Sequence, residues 1–143
     1  MSQARGLNLP LLRLITKALA GRFFPNQPRE IATHFVPSKQ MASLNEKFVG
    51  HEGPTDVITF DYGEDGGEMF ICPDVAIAQA KEFGTTPEME LMRYLVHGLL
   101  HLKGYDDRNT RERIQMKKAE DKWVRWVAAE FPCEKVWSRK HAG

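Results

Sequence analysis

The sequence predicts an α+β fold, a single small domain over residues 1–143. About five helices are expected to pack on a small mixed sheet of three to four strands. The 143 residues are enough for one hydrophobic core. Short β-branched and aromatic runs follow one another as hairpin-type neighbours, which indicates a sheet. One helical segment is apolar on nearly every side, which is typical of a helix at the centre of a domain.

The first part of the chain predicts a helix, a strand and a second helix. The helix covers residues 10–24, and Arg13 and Lys17 interrupt its apolar run. This run is too short to span a bilayer, and its internal charges differ from the layout of a secretory signal. Residues 29–37 alternate apolar and polar side chains, as a strand does. A second helix is predicted over 38–48, with its first serine as N-cap.

A hairpin and a third helix follow. Residues 55–61 are rich in β-branched and aromatic side chains and predict a strand. The glycine-rich segment 63–67 predicts a turn, and 69–72 a second short strand. A helix is predicted over 73–83, opened by a proline and closed by Gly84.

Two long helices complete the prediction. Thr86 is a suitable N-cap, Pro87 a suitable first residue, and Gly104 a suitable end for the apolar helix between them. Asn109 and Glu112 resemble the start of a final helix with apolar residues at helical spacing. The metal site described below is therefore predicted on a central helix.

Composition narrows the class of protein. Lys and Arg total 20 against 19 Asp and Glu, a balance that argues against a long charged tail. The segment from Arg111 to the end is nevertheless basic, which suits either a polyanion or a solvated helix face. Cys72 and Cys133 cannot form a disulfide framework, and no membrane segment is predicted. A cytoplasmic location is expected.

The pattern HxxxHxxGxxD predicts a metal site. His97 and His101 are four residues apart, so both imidazoles lie on one helix face. Gly104 can adopt the left-handed conformation that turns the chain back and brings Asp107 to the same ion. Separately, each histidine could be a hydrogen-bonded core residue, and Asp107 or Asp106 could cap the following helix. Together they predict three ligands and one open position, which is the catalytic pattern for zinc.

One zinc ion per chain is the expected cofactor, although iron, nickel, copper and cobalt also suit these ligands. Bound zinc generates hydroxide near neutral pH. Because Asp107 is anionic, we expect the bound water to be less acidic than at a site with three histidines. Gly98 occupies the position at which zinc proteases of the HExxH type carry a glutamate base, which disfavours peptide hydrolysis.

Four segments together resemble one known family. Residues 97–107, HGLLHLKGYDD, are similar to the HGxLHLxGYDH motif of the YbeY family of bacterial endoribonucleases. Residues 44–45 and 53–60 resemble its LNxxYRGxxxPTDVLSF segment, and 67–72 its GDIxIS segment. The matches occur in the family's order along the chain.

The resemblance implies a zinc-dependent endoribonuclease specific for single strands. It implies action in ribosomal RNA processing, including late maturation of the 16S 3′ end, and in ribosome quality control. The implied partners are ribosomal RNA, the small ribosomal subunit and ribosome-associated proteins, with no membrane. The implied fold is a small α+β domain with the metal in a cleft beside the sheet.

Two positions depart from the family pattern. Asp107 replaces the usual third histidine, and Asp106 matches the family's preceding aspartate and is the alternative ligand. The family's arginine falls on Val49, which cannot serve a substrate phosphate. The positive charge could instead come from one of four residues: His51, Lys47, Arg93 and Lys103.

The chemistry expected is metal-assisted hydrolysis of a phosphodiester bond, with Asp56 as a candidate base that could equally fix its turn. His34 and His141 are expected to be structural or exposed. A peptidase or amidase, and an RNA-binding module with a structural metal, are the alternative functions.

Overall fold

The computed structural model describes residues 5–26 and 29–138. Within these residues the chain forms the five predicted helices and a mixed sheet of three strands. The α-helices are α1 (Leu9–Phe23), α2 (Ser38–Leu44), α3 (Pro73–Phe83), α4 (Pro87–Lys103) and α5 (Thr110–Glu130). The strands are β1 (Ile31–Phe35), β2 (Val57–Asp61) and β3 (Gly67–Ile71). The described part of the chain contains no helix that is both long and apolar enough to span a bilayer.

The sheet has the order β1-β3-β2, so its central strand is the last in the chain. β2 and β3 form the predicted antiparallel hairpin, with Val57 opposite Ile71. β1 pairs with β3 in parallel, with Phe35 opposite Ile71. The connection between β1 and β3 contains α2 and β2, so these parallel neighbours are far apart in the sequence.

Helix α4 is central, as its apolar sequence predicts. Leu91, Leu95 and Leu99 are completely buried, and Thr86 caps the helix by accepting the backbone N–H of Met89. Gly98 faces the sheet, where a Cβ atom would lie 2.7 Å from the Met69 sulfur. The missing side chain at this position therefore lets α4 pack closely against β2 and β3.

Helices α1 and α5 pack against α4. The buried residues of α5 recur at helical spacing: Met116, Glu120, Val124 and Val127. Asn109 caps α5, as predicted, by accepting the backbone N–H of Glu112. The Glu112 side chain accepts hydrogen bonds from the backbone N–H and the guanidinium of Arg108.

The second helix differs from its prediction. Ser38 is its first helical residue rather than the N-cap, and its backbone N–H donates to the Asp74 carboxylate over 2.7 Å. The α-helix ends at Leu44 and continues as a π-helix over Asn45–Val49, which stops at Gly50 in the left-handed conformation. The Asp74 carboxylate of α3 therefore accepts a backbone N–H at the start of α2, where the sequence predicted a local cap by Ser38.

Candidate metal centre

The three predicted ligands come together at the end of α4. The Nε2 atoms of His97 and His101 are 3.0 Å apart. The Asp107 Oδ2 atom lies 3.8 Å from the first and 3.7 Å from the second. These three side chains form the group of possible metal ligands found in the described part of the chain.

The size of this triangle suits a transition metal. A point equidistant from the three atoms lies about 2 Å from each, which is the usual zinc–nitrogen and zinc–oxygen distance. The histidine side chains are about a quarter exposed, and that of Asp107 is 44% exposed. The open side of the triangle therefore faces solvent next to the carboxylate.

Local backbone structure explains how the ligands meet. Gly104 ends α4 with φ at 119°, and its backbone N–H donates to the carbonyl oxygens of Leu100 and His101. The backbone N–H of Tyr105 also donates to Leu100, which reverses the chain direction. Asp107 thereby returns to the face of α4 that carries both histidines, as the glycine turn predicted.

The neighbouring aspartate has a different environment. Asp106 accepts the backbone N–H of Asp107 over 2.8 Å and pairs with Arg108 at 3.0 Å. It is absent from the ligand group, which contains Asp107. The geometry thus favours Asp107 over Asp106 as the third ligand.

A hydrogen bond orients each imidazole from its other nitrogen. His97 Nδ1 lies 2.8 Å from Glu120, and His101 Nδ1 lies 3.1 Å from the carbonyl oxygen of Tyr105. Both partners are acceptors, so each neutral imidazole carries its proton on Nδ1. The two Nε2 lone pairs then face the same point, and a cation between them would satisfy both.

Glu120 belongs to a charged network that was not predicted from the sequence. It is buried and accepts from Arg93 over 2.8 Å, and Arg93 also contacts Asp121 at 2.9 Å. The signal was present, because Glu120 is the polar residue on the otherwise apolar face of α5. Arg93, a candidate for substrate binding, instead ties α4 to α5 through these two acids.

This network shifts the pKa of both members of the His97–Glu120 pair. Burial opposes the charge on His97, but the hydrogen bond and the charges of Glu120, Asp56 and Asp107 raise its pKa above the ordinary value. Burial likewise opposes the charge on Glu120, whereas His97 and Arg93 lower its pKa. Both shifts favour the ionic form of the pair.

Asp56 fixes its own turn and also lines a pocket beside the histidine. It accepts the backbone N–H of Val57 at 2.8 Å and the hydroxyl of Thr55 at 3.2 Å. The pocket has a volume of about 480 Å³, and its wall also includes His97, Arg93 and Glu120. Asp56 therefore fixes its turn, which was the structural alternative to a role as base, and it also lies in the same cleft as His97.

The other candidate cations lie elsewhere. Lys103 donates to the carbonyl oxygen of Phe23 over 2.9 Å, so it holds the end of α1. Lys47 lies over the ring of Phe48, and Val49 is exposed on the same π-helix. His51 is exposed after this helix.

The two remaining histidines are predicted from the sequence to be structural or exposed. His34 pairs with Glu68 on the sheet at 2.7 Å and stacks on Phe70. His34 is therefore held by neighbouring residues of the sheet. His141 lies outside the described residues.

Comparison with known proteins matches residues 9–127 to the family described as "Endoribonuclease YbeY". A protein of that name from Chlorobium luteolum is 40% identical over 98 residues, which cover 66% of this chain and 72% of the relative. Its namesake from Thermotoga maritima is 38% identical over 99 residues, covering 64% and 66%. A solution structure from Thermotoga maritima matches the fold with a TM-score of 0.61 and 28% identity over 89% of each chain.

Proposed function

The chain belongs to the YbeY endoribonuclease family, and we propose that it is a zinc-dependent endoribonuclease that cuts single-stranded RNA in ribosomal RNA processing. The proposal includes late maturation of the 16S 3′ end and ribosome quality control in the cytoplasm. Its partners would be ribosomal RNA, the small ribosomal subunit and ribosome-associated proteins. The family match supports the reaction class, and the ligand triangle supports dependence on a metal.

The observation that carries the proposal is the convergence of three ligand atoms with one side open. His97, His101 and Asp107 would hold one zinc ion, which activates water and polarises a phosphoryl oxygen when bound. Glu120 and the Tyr105 carbonyl oxygen fix the imidazoles in the tautomer that a metal requires. The exposed position of Asp107 leaves room for a phosphodiester to approach beside it.

The structure also explains why a peptidase mechanism is disfavoured. Position 98 points into the sheet, where a Cβ atom would meet Met69, Val57 and Thr59 within 3.3 Å. Any side chain at this position would therefore press on β2 and β3. The residue that acts as base in HExxH proteases therefore has no equivalent at this position.

The test compares RNA and peptide cleavage by the metal-loaded protein. Wild type, His101→Ala and a matched His34→Ala control are incubated with single-stranded RNA containing the 16S 3′ region and with a peptide library. We expect wild type and the control to cut RNA, His101→Ala to lose this activity, and all three to leave peptides intact. Equal cleavage by wild type and His101→Ala would reject the proposed site.

Metal analysis provides an independent check. Protein purified without chelators is expected to contain one zinc per chain in wild type and less in His101→Ala. Wild type that contains no stoichiometric metal, and that is not activated by added zinc, would contradict the zinc assignment.

A further inference from the structure

One side of α5 carries a row of four cations, here called the basic stripe: Arg111, Lys118, Lys122 and Arg125. At 3.6 residues per turn, these positions fall within a sector of about 60° around the helix. The buried residues of α5 lie on the opposite side, and all four cations are exposed. The stripe extends about 21 Å along the helix axis at 1.5 Å per residue.

The stripe has no acidic partner among the described residues. None of the ion pairs formed within 5–26 and 29–138 includes any of its four members. The two nearest acids along the helix are already paired, Glu112 with Arg108 and Asp121 with Arg93. This face of α5 therefore presents an uncompensated positive charge, although the whole chain has a formal charge of only +1.

A groove between α1 and α5, here called the α1–α5 groove, lies beside the end of the stripe. Its volume is about 450 Å³. Its lining residues are Lys17, Ala18, Gly21, Arg22, Trp126, Glu130 and Phe131. Trp126 follows Arg125 directly, so the stripe and the groove are adjacent on α5.

The groove combines an aromatic wall with two cations, Lys17 and Arg22, and one carboxylate, Glu130. The Trp126 ring is half-buried and is held edge-on by Trp123 and Phe131 at centroid distances of 5.6 and 6.2 Å. The Arg22 guanidinium lies 5.1 Å from the Trp126 ring centroid. A Cβ atom on Gly21 would have nothing within 4 Å, so the floor of the groove is open. Unpaired bases stack on tryptophan faces and on guanidinium planes.

We infer that the basic stripe and the α1–α5 groove form a second binding surface for single-stranded RNA, away from the ligand triangle. The stripe would contact successive phosphates, and the groove would hold one unpaired base. The inference rests on the proposed function for its choice of RNA as ligand.

The position of the stripe connects it to the metal centre. Arg111 is four residues after Asp107, so the stripe begins close to the turn that carries the third ligand, whereas Glu120, which contacts His97, lies on the opposite face of α5. An RNA strand lying along the stripe from the groove would therefore end at Arg111, beside this turn. The surface would hold a part of the substrate that is distant from the reacting phosphate.

Two features favour a single strand over other polyanions. A duplex would present phosphates to the stripe but no free base to the groove. An anionic membrane would require a row of large apolar side chains for insertion, whereas α5 exposes one, Ile114, and α1 exposes two, Leu9 and Leu14. The aromatic groove beside the cations matches an unpaired nucleotide.

The first test reverses two charges of the basic stripe. Affinity for a 16-nucleotide single-stranded RNA is measured in a His101→Ala background, with Lys122→Glu/Arg125→Glu compared against Lys39→Glu/Lys81→Glu on other helices. We expect the stripe variant to bind at least about tenfold more weakly and its salt slope to fall by about 0.7 for each phosphate that is no longer neutralised. Equal affinity and equal slope in the two variants would overturn the inference.

The second test blocks the groove without changing charge. Gly21→Leu would fill the open floor, whereas Gly21→Ala adds one methyl group in free space. We expect Gly21→Leu to weaken single-strand binding by about tenfold, in the range of one base stack, and Gly21→Ala to have no effect. Thermal melting shows whether the variants fold. Unchanged binding by folded Gly21→Leu, or equal affinity for a duplex of the same length, would overturn the role of the groove.

The design separates this inference from the proposed function. Cleavage by the metal-loaded wild type tests the proposed function, while binding in the His101→Ala background tests the surface. RNA that is cut normally but bound equally by stripe and control variants rejects the surface alone. Stripe-dependent binding without cleavage rejects the proposed function alone, and stripe-dependent binding of anionic vesicles but not RNA rejects the ligand.

Discussion

His97 and His101 direct their Nε2 atoms at each other across 3.0 Å, while a separate acceptor holds each Nδ1 proton. Two neutral imidazoles in these tautomers have no hydrogen between the facing nitrogens. A metal ion would satisfy both lone pairs, and a proton on one ring would satisfy them when metal is absent. Metal and proton are therefore expected to compete for the same position.

Replacement of the third ligand should weaken metal binding more than replacement of its neighbour. We expect Asp107→Ala to lower zinc affinity by more than about 100-fold, because loss of an orienting partner alone typically costs about 10–100-fold. Asp106→Ala is the matched control and should change zinc affinity little, since Asp106 pairs with Arg108. Competition with a chromophoric chelator measures both. A larger loss in Asp106→Ala would show that the third ligand had been assigned to the wrong residue.

Exchange of the third ligand should shift the pH dependence of cleavage. Asp107→His removes one negative charge from the ligand set, so we expect the bound water to become more acidic. The midpoint of the pH–rate profile should then lie lower in Asp107→His than in wild type, provided that both are saturated with zinc. A midpoint that is unchanged or higher would contradict this account of the carboxylate, and Asp106→His serves as the control.

Loss of the buried glutamate should affect the metal without removing a ligand. We expect Glu120→Gln to lower zinc affinity by about 10–100-fold, because the charged acceptor that orients His97 is removed. Asp121→Asn is the control, since Asp121 contacts Arg93 and Lys117. Similar losses in the two variants would mean that the network acts through Arg93 rather than through His97.

In the metal-free protein, the His97–Glu120 pair should stabilise the fold most at intermediate pH. The pKa of Glu120 lies below its ordinary 4.5, so its contribution is present above pH 4.5 and is lost as the pH falls through the folded-state pKa. The pKa of His97 lies above its ordinary 6.5, so its contribution is present below pH 6.5 and is lost as the pH rises through the folded-state pKa. The difference in unfolding free energy between wild type and Glu120→Gln should therefore be largest between these values. Urea denaturation at several pH values measures it, and a difference independent of pH would refute the ionic pair.

The two helical glycines provide a matched test of packing. Gly98→Ala should lower the free energy of unfolding by about 1–3 kcal/mol, because its methyl group would press on Met69 and Val57. Gly21→Ala should raise it by about 0.5–1 kcal/mol, because the methyl group enters open space in a helix. Chemical denaturation measures both variants. Equal stability of Gly98→Ala and wild type would show that α4 can move away from the sheet.

Local signals in the sequence were sufficient to predict the helices and the ligand triangle. The caps at Thr86 and Asn109 act within three residues, and the apolar surface of α4 is visible in the sequence itself. His97, His101 and Asp107 lie within one helix end and one turn, so their meeting depends only on helical geometry and on Gly104.

Interactions between distant segments were not predicted. The hydrogen bond from His97 to Glu120 joins residues 23 positions apart and depends on how α5 packs on α4. The hydrogen bond from Ser38 to Asp74 likewise depends on the meeting of α2 and α3. The sequence allows Lys103 to contact substrate, whereas in the fold its side chain donates to a carbonyl oxygen at the end of α1. Each case requires tertiary packing, about which spacing in the sequence carries no information.

The order of the sheet has a consequence for synthesis on the ribosome. β3 lies between β1 and β2, yet it is the last of the three strands to be translated. The nascent chain therefore holds β1 and β2 without their common neighbour until Ile71 has left the exit tunnel, and Ile31 pairs with Gly67 only after 35 intervening residues have been made. Because closing such a loop precedes the gain from pairing, assembly of the sheet is expected to limit the folding rate. All three strands precede the ligand-bearing helix in the chain, so every strand that receives α4 has been translated before the helix itself.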